Sequence, residues 1–155
     1  MLLALRRDAA VNATRWQRFC CHLIKARLCS QWCHGGVVIR GDLYHATANE
    51  GLHVTPSGQW TPERWDLFPL PDWLEPQAYR LFIQYQGSKY DWKSLLAFVG
   101  VKEEDNARFY CFEWCYLAIT GQLPQGRVTP EVLVSLTMRI DLLKQSSPQL
   151  SISSQ

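Results

Sequence analysis

The segment His34–Ala46 reads HGGVVIRGDLYHA, and it decides how the chain folds. Its first half contains the β-branched run Val37–Ile39, and Arg40-Gly41 then forms a short break before Leu43 resumes a mixture of apolar and polar residues. β-Branched residues favour strands, and a glycine between two such runs favours a tight turn. We therefore predict a β-hairpin here.

Two histidines lie on the predicted hairpin, His34 on the first strand and His45 on the second. With a two-residue turn, Ile39 pairs with Asp42, and His45 lies opposite Gly36. His34 and His45 then share one face as diagonal neighbours, with their Cα atoms about 7–8 Å apart. A three-residue turn would place them on opposite faces, so their cooperation depends on the turn.

Helical and extended segments alternate around the hairpin. Helices are predicted from Asn12 or Thr14 to about Leu28, from Pro76 to Gly87, over Trp92–Val99, over Cys111–Ile119 and, as a short one, from Thr129-Pro130. Further strands are predicted at Leu52–Thr55, Trp65–Leu70 and Met138–Leu143, with a charged loop at 102–106. The sequence thus predicts an α+β fold in which an antiparallel sheet packs against helices.

The length of 155 residues fits one domain, which we place at 1–144 with the N-terminal helix 12–28 included and a disordered tail at 145–155. A 47% share of hydrophobic residues excludes wholesale disorder, and seven tryptophans predict an aromatic core. No segment approaches the ~20 apolar residues of a membrane span. The run Met1–Leu5 is too short for a signal-peptide core, so we predict a soluble, cytoplasmic protein.

The charge is concentrated in the first part of the chain. Residues 1–40 carry seven Lys and Arg against one acid, a net of +6, while the whole chain carries +2. Such a region suits an anionic surface such as nucleic acid, membrane or cell wall, or is simply the solvated face of a helix. We favour the solvated face, and we expect no nucleic-acid partner, because no lysine-rich run accompanies the charge.

Six cysteines leave three interpretations: buried apolar residues, a zinc site, or a thiol nucleophile. They are Cys20, Cys21, Cys29, Cys33, Cys111 and Cys115. Without an export signal we expect a reducing compartment and no disulfide framework. Cys20 falls on the apolar stripe of the first helix and Cys115 lies one turn beyond Cys111, so we expect both to be buried.

Cys111 is the candidate nucleophile. It stands in the first turn of a predicted apolar helix, where free backbone N–H groups and the helix dipole favour a thiolate and lower the thiol pKa. The same N–H groups can stabilise an oxyanion once the sulfur attacks a carbonyl. On this basis we expect Cys111 to react with iodoacetamide at neutral pH faster than the other cysteines.

Four motifs in order carry a family resemblance: Trp32–Ile39 with Tyr44-His45-Ala46, then Gly51-Leu52-His53-Val54, then Gly87-Ser88-Lys89-Tyr90-Asp91-Trp92, then Phe109-Tyr110-Cys111-Phe112-Glu113. They resemble circularly permuted papain-like thiol hydrolases, the NlpC-related amidases and the relatives of lecithin retinol acyltransferase. The resemblance covers about Trp32 to Pro130 and implies a permuted papain-like fold. The basic N-terminal helix has no counterpart in it.

The resemblance also implies roles for six residues. His34 would be the base, His45 would orient it, and Cys111 would be the nucleophile. We place Tyr90, Glu113 and Gly35 in the substrate pocket and expect the Cys111 helix to pack on the sheet face that carries His34. No cofactor or metal is implied.

Three functions remain open from the sequence. The first is a cysteine peptidase or amidase that cleaves peptide or glycopeptide amides, cell-wall peptides above all, through a Cys–His–His triad and a thioester. The second is a lipid acyltransferase or thiol esterase of the same fold, which we rank lower. The third is a zinc-stabilised module that binds nucleic acid or protein, with Cys29, Cys33, Cys111 and Cys115 as ligands. A papain-like fold without activity, acting as an interaction protein, is a further interpretation, and the presence of both Cys111 and His34 argues against it.

Overall fold

The computed structural model describes residues 1–90 and 110–146, and these form an α+β arrangement. The strands are β1 (Leu2–Arg6), β2 (His34–Ile39), β3 (Asp42–Thr47), β4 (Gly51–Thr55) and β5 (Asp66–Pro69). The helices are α1 (Arg15–Leu28), α2 (Glu75–Tyr85), α3 (Cys111–Thr120) and α4 (Pro130–Ser146). Short 3-10 helices occupy Pro62–Arg64 and Asp72–Leu74. The predicted helix 92–99 and charged loop 102–106 lie outside the described residues.

The five strands form one antiparallel sheet in the order β4-β3-β2-β1-β5. The predicted hairpin is confirmed: Ile39 pairs with Asp42, and Gly36 pairs with His45. Arg40 and Gly41 both have positive φ, 52° and 90°, as in the two-residue turns whose twist matches that of the flanking strands. His34 and His45 therefore lie on the same face of the sheet, as predicted for a hairpin with a two-residue turn.

Strand β1 was not foreseen, and it lies near the centre of the sheet between β2 and β5. The run Leu2–Arg6 does not alternate, because both of its faces are covered: Leu3, Ala4 and Leu5 are all fully buried. A short continuous apolar run of this kind fits a central strand as well as a buried helix segment. Only the pairing partners on both sides identify it as a strand.

The two faces of the sheet differ in what covers them. The helix face, which carries Leu3, Val37, Tyr44 and Leu52, packs against α2 and α3 through residues such as Phe82 and Trp114. The histidine face carries Arg6, His34, His45 and His53, and a small cluster of Ala4, Val38, Leu43 and Trp65 packs beside them.

Helix α1 has the predicted bounds but buries other residues than expected. Thr14 is its N-cap and forms a capping box with Gln17. Cys21 and Ile24 face the core, whereas Cys20 is only partly buried, so the expectation that Cys20 is a core residue is wrong. The error arises because α1 has apolar residues on two faces, and only the tertiary packing selects one of them.

The end of the chain is helical where a strand was predicted. Met138–Leu143 belongs to α4, which begins at Pro130 and continues to Ser146. Leu133, Thr137 and Ile140 recur at helical spacing and contact or face the core, so the helix begun at Pro130 continues through the segment. The predicted domain end at 144 falls inside α4, and residues 147–155 of the predicted tail lie outside the described residues.

None of the helices within 1–90 and 110–146 combines the length and the apolar character that crossing a bilayer requires.

Candidate active site

Cys111 is the first residue of α3, and the chain around it is tightly held. The N–H of Tyr110 donates to the carboxylate of Glu113 at 3.2 Å, which caps the helix start. The hydroxyl of Tyr110 donates to the carbonyl of Val128 at 2.6 Å and accepts from the N–H of Val128 at 3.0 Å. Glu113, expected in the substrate pocket, therefore fixes the position of the Cys111 backbone.

The sulfur of Cys111 accepts hydrogen bonds from several donors. The backbone N–H groups of Gly35 and Phe112 and the hydroxyl of Tyr90 point to it, and each favours the thiolate. Burial has the opposite effect and is larger, because a thiolate loses its hydration there. The pKa of Cys111 is raised to about 11. The expectation of a lowered pKa is wrong, since it considered the helix terminus without the desolvation.

Gly35 allows β2 and α3 to approach each other closely. A Cβ at this position would lie 2.9 Å from Cδ1 of Phe112 and 3.2 Å from Cδ2 of Leu5. Real Cβ atoms do not come that close, so a larger residue would push the start of α3 away. Gly35 is thus placed beside Cys111 through its backbone, and no side chain separates the sulfur from the strand.

The helix containing Cys111 packs on the helix face, so the expectation that it packs on the His34 face is wrong. Gly35 faces Phe112, whereas Gly36, with the opposite orientation, faces Leu43 and the Cβ of His45. Cys111 nevertheless reaches the residue next to His34, because β2 begins there and pairing with β3 starts only at Gly36. Cys111 is therefore linked to the beginning of β2 through the backbone of Gly35, whereas the side chain of His34 lies on the opposite face of the sheet.

His34 and His45 are in direct contact. His34 Nε2 lies 2.8 Å from His45 Nδ1, and His45 Nε2 lies 2.9 Å from the hydroxyl of Thr55. With the proton of each ring on Nε2, His34 donates to His45 and His45 donates to Thr55. Nδ1 of His34 is then left with a free lone pair, which is the state that a general base needs.

His53 extends this row of side chains, and its sequence motif predicted no role for it in the site. It pairs with His45 across β3 and β4, and the two ring centroids are 4.5 Å apart. Its Nδ1 lies 3.0 Å from the carbonyl of Gly51, and its Nε2 lies 2.8 Å from Glu50. A short turn after Thr47 pairs Thr47 with Gly51, and the alternation of side chains along β4 then places His53 opposite His45. This register was the sequence signal that could have identified His53.

Arg6 is the other residue that was missed. It pairs with His34 across β1 and β2, and its guanidinium carbon lies 5.0 Å from the ring centre of Trp65, which in turn lies 5.6 Å from the ring of His34. Its Nε is buried without a hydrogen-bond partner in the described part of the chain. Burial and Arg64 lower the pKa of Arg6, and Cys111 and Asp8 act against them.

Cys29, Cys33, Cys111 and Cys115 do not come together as the ligands of a zinc site. Cys21 and Cys33 form a disulfide with Cα atoms 5.1 Å apart, so the expectation of no disulfide is wrong. Docking of α1 brings the two together, which sequence spacing does not reveal. Cys29 is exposed, whereas Cys111 and Cys115 are buried. Within 1–90 and 110–146, no three His, Cys, Asp or Glu side chains cluster as metal ligands would.

Burial of the histidines predicts a pH-dependent stability. Burial above all, and then the charges of His53 and Arg6, lower the pKa of His45 from 6.5 to about 3. As the pH falls, the unfolded chain binds this proton first, so the stability present above pH 6.5 is lost down to about pH 3. We expect the free energy of unfolding to fall by about 1.4 kcal/mol per pH unit for this histidine.

Urea unfolding of wild type and His45→Asn at a series of pH values measures this effect. The variant has no imidazole at position 45. The pH dependence of its free energy of unfolding should therefore be smaller than that of the wild type by about 1.4 kcal/mol per pH unit between pH 6.5 and pH 3. Equal slopes for wild type and His45→Asn would show that His45 is not held neutral by its surroundings.

Alkylation distinguishes the buried thiols from the exposed one. Cys29 is exposed, and we expect iodoacetamide at neutral pH to label it first. Cys111 is buried, and with its pKa raised to about 11 it carries little thiolate at neutral pH, so its labelling should be slow. Peptide mapping over time checks the order. Cys111 reacting ahead of Cys29 would mean that a thiolate is already formed and open to solvent.

A comparison of the sequence with known protein families finds no match, and a search among curated proteins finds no relative either. The resemblance to permuted papain-like hydrolases therefore stays a prediction. Two sets of contacts involve the residues that carry it: Gly35 and Tyr90 contact Cys111, and His34, which immediately precedes Gly35 in the chain, contacts His45.

Proposed function

We propose that this protein is a cysteine hydrolase that cleaves amide bonds in peptide-like substrates, with a permuted papain-like fold. The observation that carries the proposal is the hydrogen-bonded chain from His34 through His45 to Thr55, which begins one residue from the donor to the Cys111 sulfur. A thiol, an imidazole free at one nitrogen and a group that orients the imidazole are the requirements of this chemistry.

The first step is attack by the sulfur. Nδ1 of His34 accepts the proton of the Cys111 thiol, and the sulfur forms a bond to the carbonyl carbon of the substrate. Because burial raises the pKa of Cys111 and lowers that of His34, the two groups start as a neutral pair, and the proton moves as the bond forms. Backbone N–H groups at the start of α3 are the donors for the resulting oxyanion.

The second half of the reaction releases the products. His34 returns its proton to the leaving nitrogen, the C–N bond breaks, and the acyl group remains on Cys111 as a thioester. Water then attacks this thioester, with His34 accepting its proton, and the free carboxylic acid leaves with the sulfur restored as a thiol. Every group in these steps belongs to the chain itself, which is why we propose no cofactor.

Arg6 supports a substrate that carries a negative charge near the scissile bond. A buried guanidinium nitrogen without a partner is costly, and a carboxylate bound beside His34 and Trp65 would satisfy it. His34 and Arg6 are both partly exposed, so the site reaches solvent on the histidine face. Peptides with a free carboxylate, such as cell-wall stem peptides, fit this requirement.

One observation favours a second candidate, acyl transfer from a lipid ester. Such an enzyme needs an exposed apolar surface, and α1 presents exposed aromatic side chains at Trp16 and Phe19. The disulfide joins α1 to Cys33, which immediately precedes His34. The same thiol chemistry would then act on an ester carbonyl.

The test is to incubate the protein separately with peptidoglycan stem peptides and with phospholipid vesicles and to measure its intact mass. An acyl adduct formed from the peptide, together with release of its amine, supports amide hydrolysis; an adduct from the lipid alone supports the second candidate. Cys111→Ala must abolish the adduct, whereas Cys29→Ala, which removes the exposed thiol, must keep it. An adduct that persists in Cys111→Ala would overturn both proposals.

A further inference from the structure

Helix α1 has an apolar stripe that faces away from the core. Cys21 and Ile24 point inward, whereas Trp16, Phe19 and Leu23 are 64%, 54% and 39% exposed. At 100° per residue, these three outward side chains fall within an arc of about 60°. A narrow, continuous apolar stripe on an exposed helix is typical of a surface that binds a protein or a membrane.

The stripe is aromatic and ordered. The rings of Trp16 and Phe19 stack with their centroids 5.5 Å apart and an interplanar angle of 28°. Val11, in the segment that leads into the helix, is 69% exposed and its carbonyl is contacted by Arg18 of α1. Large rigid side chains of this kind insert well into the boundary between lipid headgroups and acyl chains.

The charges on α1 are all positive. Asp8 is the last acid before Asp42, so the whole of α1 lies in a stretch without a carboxylate. Helical spacing places Arg15 and Arg18 on one side of the apolar stripe and Arg27 on the other. This is the pattern of a helix that lies in the plane of an anionic bilayer surface, with its cations at the headgroups.

A cationic groove continues this surface toward the body of the protein. A groove of about 450 Å³ lies between α1 and the segment 8–11, and Arg18, His22, Lys25 and Arg64 line it with Asp8 as the one acid. Its positively charged side chains are complementary to the negative charge of anionic lipid headgroups. It therefore adds to the attraction without contributing apolar area.

We propose that α1 docks this protein on an anionic lipid bilayer, with Trp16, Phe19 and Leu23 inserted at the interface. A second copy is a poor occupant, because two α1 helices would bring like charges together. Nucleic acid would match the charge but would leave Leu23 and Val11 without a role. The disulfide to Cys33 and the burial of Ile24 hold α1 to the core, so the bilayer would carry the whole protein.

Co-sedimentation with vesicles tests the proposal without reference to catalysis. We expect the wild type to bind vesicles of phosphatidylcholine mixed with phosphatidylglycerol, to bind phosphatidylcholine alone at least about tenfold more weakly, and to lose binding as salt rises. Because the readout is binding, its failure would leave the hydrolase proposal standing, and an inactive Cys111→Ala variant should bind as the wild type does.

Substitutions test whether vesicle binding depends on the stripe of α1 or on any exposed aromatic side chain. The double variant Trp16→Ser/Phe19→Ser should bind the mixed vesicles at least about tenfold more weakly. Trp73→Ser removes a 67% exposed tryptophan outside α1 and should bind as the wild type does. Circular dichroism confirms that each variant is folded.

Two results would overturn the proposal. One is equal vesicle binding by the wild type and the double variant, or no binding at all. The other is a wild type that ignores vesicles but retains a duplex DNA, or forms a dimer by light scattering, in a way that the double variant loses. DNA retention would assign the stripe to a nucleic acid, and dimer formation would assign it to a second copy of the chain.

Discussion

Replacing Cys111 with alanine is expected to reduce amide hydrolysis by at least about 10³-fold, because the proposed mechanism forms the thioester on this sulfur. His34→Ala should have an effect of similar size, since the thiol, with its pKa raised to about 11, needs a base at neutral pH. The two losses should not add in the double variant, because the residues act in the same step. Release of the product amine from a stem peptide measures all three.

The matched control for this result is Cys115→Ala. Cys115 is buried in the same helix one turn beyond Cys111. Its replacement should leave the rate within about threefold of wild type, because a thiol one turn from the helix start is remote from the N–H donors. A Cys115→Ala variant as inactive as Cys111→Ala would show that α3 is sensitive to any change and that nucleophilicity is not what was measured.

Trp114→Ala is expected to destabilise the fold by about 3–5 kcal/mol, the largest effect on stability that we predict. Trp114 is fully buried between α3, α2 and the sheet, its ring lies 6.2 Å from that of Phe82, and its indole N–H donates to the carbonyl of Tyr44 at 2.9 Å. Truncation leaves a cavity and removes the donor to that carbonyl. A domain at the lower end of the ordinary range, with a free energy of unfolding of about 5 kcal/mol, would retain little of it.

Urea unfolding followed by circular dichroism measures this loss. Trp114→Phe keeps most of the apolar volume and loses only the hydrogen bond, so it should cost about 1–3 kcal/mol. Trp73→Ala, at an exposed tryptophan, should change the stability by less than about 0.5 kcal/mol. If Trp114→Ala unfolded at the same urea concentration as Trp73→Ala, the packing of α3 on the helix face would be wrong.

The local features of the chain could be predicted from its sequence. The bounds of α1 follow from Thr14 and Gln17, which form a capping box, and the hairpin follows from its β-branched run and from Arg40-Gly41. The contact between His34 and His45 follows as well, because a two-residue turn fixes the register and the register fixes the face. Each of these depends on residues within about a dozen positions of one another.

The errors concern interactions that span the fold. Strand β1 needed β2 and β5 as partners on its two sides before it could be recognised, and the disulfide needed α1 to dock beside Cys33. The expected thiolate at Cys111 was wrong because a helix terminus is a local feature, whereas desolvation depends on everything packed around the sulfur. Arg6 and His53 belong to the candidate site for the same reason. Each is placed there by the pairing of its strand, and the sequence does not specify the order of the strands in the sheet.

Sequence alone therefore determined the hairpin and the extent of α1, and it reduced the cap to Asn12 or Thr14 and the histidine pairing to a choice between two turn lengths, since period, turn chemistry and capping act over a few residues. Only the tertiary structure decided which face α3 covers, which apolar face of α1 is left exposed and how strongly burial acts on Cys111. The physical reason is that burial and electrostatics depend on the distance in space between groups, and pattern along the chain does not specify that distance.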